Sequence, residues 1–473
     1  VSVLNSYPLV KAAFRLVQRA LDRQSQSPVA PYISAEDLPD RIDFSLPVTG
    51  VSDAEVESLL DQIAQAAPRT ASPRFLNQLF GGRDDAALAG EILAVALNNS
   101  MYTYKASGAN AVVELELTRH MARIVGFTEG EGVFAAGGSM SNFTAIVMAR
   151  NEADPDIREH GHDGAAMTLY TSAISHYSIT KGAALAGVGR ENVRPIPCDD
   201  RGRMIPEKLR AAIKRDLDAG RRPFLINATA GTTVLGAFDP IRSLAAIAQE
   251  FNLWLHVDGA LGAPIVLSNK HRHLLDGAEL ADSLTWDAHK LMTVPLVASV
   301  ILVKKPGLLA KHFSEDASYL FQSDSNDVNF GGKSLQCGRT NDALKVWALW
   351  KHHGDAGLGR CIDRLFELAR HTADLVRQHP ELRLTKKPES VNVCFEAIGV
   401  PSDVLCEQLR QRELLVVGYG EVDGRDVVRI PMVNPDLTFE QMSEAVELIC
   451  EVAADLRNNP EVGAQSVIDP RCC

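Results

Sequence analysis

Lys290 is the residue whose type and place most invite chemistry. It sits in TWDAHKL (285–291), where an apolar stretch ends and a histidine and a lysine come together. A lysine at the carboxyl end of a strand can project its amine into a crevice. Desolvation there lowers its pKa and makes it a nucleophile able to form a Schiff base. Taken alone, a lysine at a turn is more often a solvated surface residue. Asp258 closes a second apolar stretch, LWLHVDGALGAP (253–264). A carboxylate carried in on a buried strand costs free energy unless it meets a cation. The protonated ring nitrogen of pyridoxal 5′-phosphate is such a cation; a helix cap or a structural ion pair is the plainer use. Gly137 and Gly138, in FAAGGSMSNFTA (134–145), precede a helix opened by Ser139 and Ser141. Free N–H groups and a hydroxyl at a helix start bind phosphate. The run matches neither G-x-G-x-x-G nor the Walker pattern, which disfavours dinucleotides and ATP. His176, in TSAISHYSITKGAA (171–184), follows a strand, where an imidazole can stack on a flat heteroaromatic ring. Each signal is common by itself. Together they fall in one order (phosphate loop, stacking His, pyridinium Asp, Schiff-base Lys), each at a strand end or in the turn after it. That order predicts a pyridoxal phosphate enzyme.

Such residues need a rigid sheet to converge. From about 106 to 360, apolar strands alternate with amphipathic helices. The expected strands are 168–172, 224–229, 253–258, 283–287 and 297–304. The stretch DPIRSLAAIAQEFN places Leu244, Ile247, Ala248 and Phe251 on one helical face. Alternation of this kind predicts an α/β fold with a largely parallel central sheet covered by helices on both sides. Ligands in such sheets bind beyond the carboxyl ends of the strands. Residues 1–105 read as a helical and irregular arm. In it, VSDAEVESLLDQIAQAA has Val56, Leu59, Leu60 and Ile63 at helical spacing, with Ser52 or Asp53 as the cap. Residues 361–473 read as a smaller α/β domain entered by the helix CIDRLFELARHTADLVRQHP. Residues 106–360 then form the large cofactor-binding domain.

The chain has 473 residues and a formal net charge of −12, a balance that argues against nucleic acid as the main partner. No apolar run approaches the roughly 20 residues a membrane helix requires. The first residues, VSVLNSYPLVKAAFRLV, are broken by Pro8 and hold no export signal of the usual form. The eight cysteines form no CxxC pair and no ligand-spaced cluster. Scattered thiols suit a reducing compartment, so a cytoplasmic protein without a metal site is expected. No function is assigned to Cys472 and Cys473.

Read in order, these segments resemble the group II pyridoxal phosphate-dependent amino acid decarboxylases, in their glutamate and cysteine sulfinate decarboxylase branch. The resemblance runs from about 73 to about 440. It is carried by SPRFLNQLFGG, LNNSMYTYKAS, GGSMSN, SHYSITKGAA, NATAGTTVLGAFDPI, LWLHVDGA, KHRHLLDG, DAHKLM, ASYLFQ, SLQCGRTNDALKVW, VNVCF and VVRIPMVNP. It implies the aspartate aminotransferase-type fold (fold type I) and a homodimer with sites at the interface. Lys290 would carry the cofactor, Asp258 would pair with its ring nitrogen, and Ala260 would lie on the ring face opposite His176. Gly138, Ser139 and His289 would serve the phosphate, with Thr229 near the ring. Tyr319 would sit on a catalytic loop as proton donor, and Gln78 and Arg429 would meet the substrate's acidic groups. The resemblance also links Ser100 and Tyr102 to substrate size, since this position reads Ser-x-Tyr in cysteine sulfinate decarboxylases and Asn-x-Phe in glutamate decarboxylases. The expected reaction is α-decarboxylation of cysteine sulfinate or aspartate, to hypotaurine or β-alanine. The alternatives are glutamate decarboxylation to GABA, a decarboxylase of another amino acid, and an aminotransferase or lyase on the same fold.

Three departures stand out. Asp287-Ala288 replaces the family's Asn-Pro before His-Lys, and Asp287 is expected to point away from a phosphate it would repel. Leu261 stands where the animal enzymes carry a Trp. Lys105 stands where they carry a Glu, which bears on the substrate and not on the cofactor.

Overall fold

A computed structural model of the chain describes residues 6–24, 28–162, 164–315 and 326–459. Its strands, in chain order, are β1 (Phe75–Leu76), β2 (Glu131–Ala135), β3 (Met167–Ser172), β4 (Val193–Ile196), β5 (Arg222–Thr229) and β6 (Trp254–Asp258). They continue with β7 (Ser283–Asp287), β8 (Ser299–Val303), β9 (Leu382–Leu384), β10 (Asn392–Ala397), β11 (Val416–Val422) and β12 (Arg425–Pro431). The chain divides into two units. The larger holds Arg83–Ala369 with Pro388–Asn392, and the smaller holds Val1–Gly82, Arg370–Lys387 and Val393–Cys473.

The larger unit is built on a seven-stranded sheet in the order β2-β8-β7-β6-β5-β3-β4. Neighbours from β7 to β4 pair in parallel, while β8 runs antiparallel to both β7 and β2. Strands β3, β7 and β8 are buried along their whole length, as expected where helices cover both faces. On one face, the helix Gly138–Ala153 packs Ile146 and Ala149 with Ile179, Leu169 and Leu225. This is the fold type I arrangement that the resemblance implied. Strand β7 occupies the expected residues, and β6 starts one residue later. β2 and β4 go beyond the sequence reading. β4 contains Pro195, which only an edge strand accommodates without losing a ladder bond, and β4 is the sheet's edge.

In the smaller unit the sheet order is β1-β11-β12-β10-β9. β1 is only two residues long, yet it pairs in parallel with β11 through Phe75↔Val416 and Leu76↔Val417. That pairing ties the N-terminal segment to the C-terminal one. Helices Pro8–Asp22 and Asp53–Ala66 pack together, with Arg15 bonded to Glu57 and Arg19 to Asp61. Ser52 caps the second of them by accepting the Glu55 N–H, one of the two caps the sequence offered. The helix expected from Cys361 belongs to a longer one, Asp342–Gln378, interrupted where Gly354 takes φ 62° and ψ 174°.

Candidate active site

Three neighbouring strands end side by side. Thr229 of β5 is in register with Asp258 of β6, and Asp258 with Thr285 of β7. Side chains at these ends share the crevice where parallel sheets bind ligands. Asp258 is almost fully buried. Its Oδ2 accepts from Asn142 Nδ2 at 2.9 Å and its Oδ1 from the Ala260 N–H at 3.2 Å. Two donors hold the carboxylate in one orientation. Ala260 itself is buried in the turn after β6. Thr229 is held from behind: Asp239, wholly buried, accepts the Thr229 N–H at 2.7 Å and the Met204 N–H at 2.6 Å. Burial pushes the Asp239 carboxyl up to about 7. The Thr229 hydroxyl is buried without a hydrogen-bond partner among the described residues.

Lys290 follows β7 in the turn, and its side chain keeps about a fifth of its surface exposed (21%). Its Nζ lies 3.1 Å from Asp287 Oδ2, and His289 Nε2 lies 3.7 Å from the same oxygen. The other ring nitrogen of His289, Nδ1, meets the Ala298 backbone, 2.9 Å from the carbonyl oxygen and 3.2 Å from the N–H. Burial holds the His289 imidazole below its ordinary value, against the pull of Asp287. His176 stands two residues before the helix Ser178–Leu185, its Nδ1 accepting the Ser178 N–H at 3.2 Å. Burial lowers its pKa too, and Asp258, Lys290 and Asp287 are all near enough to act on its charge. His176 therefore shares the crevice with the other three.

The glycine loop enters at the same end. Gly137 has φ 98°, and Gly138 opens the helix Gly138–Ala153 with Ser139 exposed in its first turn. Ser141 is buried instead, its hydroxyl 2.8 Å from that of Ser299. A Cβ on Gly138 would fall 2.5 Å from Asp287 Oδ2. Asp287 therefore points into the site toward the loop, which corrects the expectation that it points away. Strand geometry is the reason. Thr285 and Asp287 are two residues apart on β7 and so share a face, and Thr285 already faces the helix, with its hydroxyl 2.8 Å from Asn142 Oδ1. The Lys290 ammonium offsets the buried charge.

The substrate-side residues fall in different places. Ser100 and Tyr102 belong to the larger unit, in a segment pinned by Arg339. The Arg339 guanidinium donates to the Met101 carbonyl at 3.0 Å and to Glu114 Oε1 at 2.5 Å, both partners being buried. The Tyr102 ring lies on Gly331, where a Cβ would fall 2.3 Å from a ring carbon. Gln78 and Arg429 come together within the smaller unit. Gln78 is exposed just past β1, and Arg429, on β12, donates to the carbonyl of its neighbour Asn77. Burial lowers the pKa of Arg429. Tyr319 lies outside the described residues. Lys105 is exposed on the short helix Tyr104–Ser107, and Leu261 is buried in the turn after β6. Sequence reasoning gave no role to Asn142, Asp239 or Arg339, although each stands in a segment that carried the resemblance.

Pyridoxal phosphate fits this donor set. The Lys290 amine stands beside the Asp287 carboxylate, the Asp258 carboxylate at the neighbouring strand end is held by two donors, the Thr229 hydroxyl there has no partner among the described residues, and a helix start offers its N–H groups. When bound, the cofactor supplies a conjugated ring that takes up the electron pair left by a departing carboxylate. Lys290 would be the residue to hold it, with Asp258 facing its ring nitrogen and Gly138 and Ser139 receiving its phosphate.

Known proteins agree with that chemistry. A family profile described as pyridoxal-dependent decarboxylase conserved domain matches residues 51–398. The chain is 38% identical over 451 residues to cysteine sulfinic acid decarboxylase of Homo sapiens, covering 90% of this chain and 92% of that protein. It is 37% identical over 444 residues to acidic amino acid decarboxylase GADL1 of Mus musculus, covering 89% and 81%. A crystal structure of mouse CSAD superposes with a TM-score of 0.91 at 34% identity, covering 96% of this chain and 100% of that one. Oryza sativa TDC, solved with PLP and tryptamine, shares the fold with a TM-score of 0.88 at 24% identity, covering 96% and 99%. With the lysine, the carboxylate and the glycine loop converging on one crevice, and a profile match spanning most of its length, the chain belongs to the family of pyridoxal-dependent decarboxylases.

Proposed function

We propose that this amino acid decarboxylase acts on a short acidic substrate, cysteine sulfinate or aspartate in preference to glutamate, releasing hypotaurine or β-alanine. The observation that carries the preference is the Ser100-Met101-Tyr102 segment, held rigid by Arg339 and Gly331. The names of the two relatives, a cysteine sulfinic acid and an acidic amino acid decarboxylase, support it. In this reading the Tyr102 hydroxyl takes up space that a Phe ring leaves free and offers a hydrogen bond to an anionic head group. Arg429 and Gln78 supply the counter-charge and a further donor. One methylene in such a pocket is worth about 1–3 kcal/mol, or roughly 10–200-fold in kcat/KM. A competition assay between cysteine sulfinate, aspartate and glutamate tests this. The shorter acids should win by that margin, and Tyr102→Phe should narrow it. Equal turnover of glutamate by the wild type removes the preference. An unchanged ratio in Tyr102→Phe removes the hydroxyl as its cause.

Tyr319 is the proton donor to Cα in this proposal, His176 stacks on the ring, and Ala260 covers its other face. Tyr319→Phe should lower kcat by about 10²–10⁴-fold, the usual worth of a positioned acid. The cofactor's affinity should stay as it is. An unchanged rate of amine formation rules the role out.

The working form is a homodimer in the cytoplasm, where the six described cysteines stay as thiols. Exposed apolar side chains favour a second copy as the partner: Val10, Phe14 and Val17 on the helix Pro8–Asp22, and Leu93, Val95 and Leu97 on the helix Asp85–Leu97. Sedimentation should return a dimer, and a monomer at micromolar concentration defeats this part.

A further inference from the structure

Asp258 is aimed from behind, and we propose that Asn142 is a positioning residue that holds the Asp258 carboxylate oriented toward the cofactor's ring nitrogen. It does so as the last link of a one-way hydrogen-bond chain from Trp254. The inference rests on the assignment of Asp258 to that ring nitrogen.

Asn142 is buried on the helix Gly138–Ala153, and its amide is fully used. Its two Nδ2 hydrogens go to Asp258 Oδ2 at 2.9 Å and Ser178 Oγ at 3.0 Å. Its Oδ1 meets Thr285 Oγ1 at 2.8 Å and His256 Nε2 at 3.0 Å. Beyond it, His256 Nδ1 lies 2.8 Å from Ser283 Oγ, and the Trp254 indole N–H donates to that oxygen at 2.9 Å.

The direction of each bond follows from the two ends. An indole N–H can only donate, and a carboxylate can only accept. With Asp258 ionised, Asn142 must turn its amide toward it, so Oδ1 faces His256 and Thr285 and both must donate. Burial pulls the His256 pKa down to about 3, so the ring is neutral with one N–H, and that N–H sits on Nε2. Nδ1 then accepts the Ser283 proton, and Ser283 accepts from Trp254. Every donor has an acceptor. A proton on Asp258 Oδ2 would reverse the whole chain. Asn142 would flip, His256 would carry its N–H on Nδ1, and the Ser283 oxygen would face two donors. Its own proton would then lose its present acceptor, His256 Nδ1. The buried network therefore keeps the Asn142 amide turned toward Asp258, and its low-dielectric setting strengthens each of these bonds. Asn142 touches neither Lys290 nor the reacting carbon, so its contribution runs through Asp258.

The experiment uses the holoenzyme reconstituted with cofactor isotope-labelled at its ring nitrogen. Its nitrogen NMR shift reports whether that nitrogen is protonated, independently of turnover. Asn142→Ala, Asp258→Ala and the double variant are compared with the wild type. Asn142→Ala should move the ring-nitrogen signal toward the unprotonated value at neutral pH. It should lower kcat by about 10–100-fold, the worth of a hydrogen bond to a charged group, more than it changes KM. The double variant should be no slower than Asp258→Ala, because the two residues act through one interaction. Asn142→Leu, which keeps the size but removes the donor, should give the same NMR change and carries the test if the alanine variant fails to fold. An unmoved ring-nitrogen signal in a folded Asn142 variant, or losses that multiply in the double variant, overturns the proposal. If Asp258→Ala itself leaves the ring nitrogen protonated, the Asp258 assignment falls, and this inference with it.

Discussion

Replacing Lys290 by Ala should lower amine production by more than about 10³-fold and abolish any borohydride-reducible link between cofactor and protein. The Lys290 amine is the group at these strand ends suited to form that link. It stands 3.1 Å from Asp287 and within the charge field of His176 and His289. The fold should survive, because the turn is held by backbone: the Lys290 N–H donates to the Asp287 carbonyl at 3.3 Å, and the Ala288 N–H to the Ala298 carbonyl at 2.9 Å. The variant does leave the buried Asp287 carboxylate with only His289 nearby, at 3.7 Å. A loss of about 1–3 kcal/mol in stability is expected from that. Tryptic mapping after borohydride reduction, with a CO₂-release assay, checks the assignment. Reduction that labels another lysine, in a variant keeping most of its activity, would falsify it.

The largest expected effect on stability belongs to Arg339. Arg339→Leu should cost about 3–5 kcal/mol, because it strands the Glu114 carboxylate in the interior. The two side chains are 3% and 1% exposed and meet at 2.5 Å. Around them, Arg339 donates to the Met101 and Phe134 carbonyls, each at 3.0 Å, and Glu114 accepts the Phe134 N–H at 3.1 Å. The pair thus joins four stretches: the segment of Ser100 and Tyr102, the helix Ala109–Val125 that carries Glu114, the end of β2 just before the glycine loop, and the loop leading to the helix Asp342–Gln378. Replacing both partners with leucine should recover much of the loss, since no uncompensated charge then remains. Denaturant unfolding of the two single variants and the double one measures this. Arg339→Leu within about 1 kcal/mol of the wild type, the worth of a surface pair, would show that the ion pair does not hold the segment.

How much was readable beforehand follows the range of the interaction. β7 was legible residue for residue because SLTWD alternates polar Ser283, Thr285 and Asp287 with apolar Leu284 and Trp286 before a turn, and that pattern is local. Strand β2 is five residues with a glycine inside it, too short for periodicity to separate from a loop. The two-residue β1 exists only because β11 lies beside it. Lys290, Asp258, His176 and the glycine pair were each singled out from what a strand end does to one residue, and the structure places them at the strand ends of one sheet. The direction of Asp287 was misjudged because electrostatic repulsion from a phosphate was weighed, while strand alternation and the neighbouring ammonium decide where the side chain goes.

The amino-acid sequence by itself determined the class of chemistry, the order of the cofactor residues along the chain and the α/β architecture. These depend on residue type and on short-range periodicity, which the backbone enforces wherever it folds. Only the tertiary structure decided which polar groups support them. Asn142 meets Asp258 across 116 residues, Arg339 meets Glu114 across 225, and His256 meets Asn142 across 114. Contacts at that separation form only when the closed sheet and its covering helix bring distant segments within hydrogen-bond reach. Only there does burial make an unpaired polar atom too costly to leave without a partner.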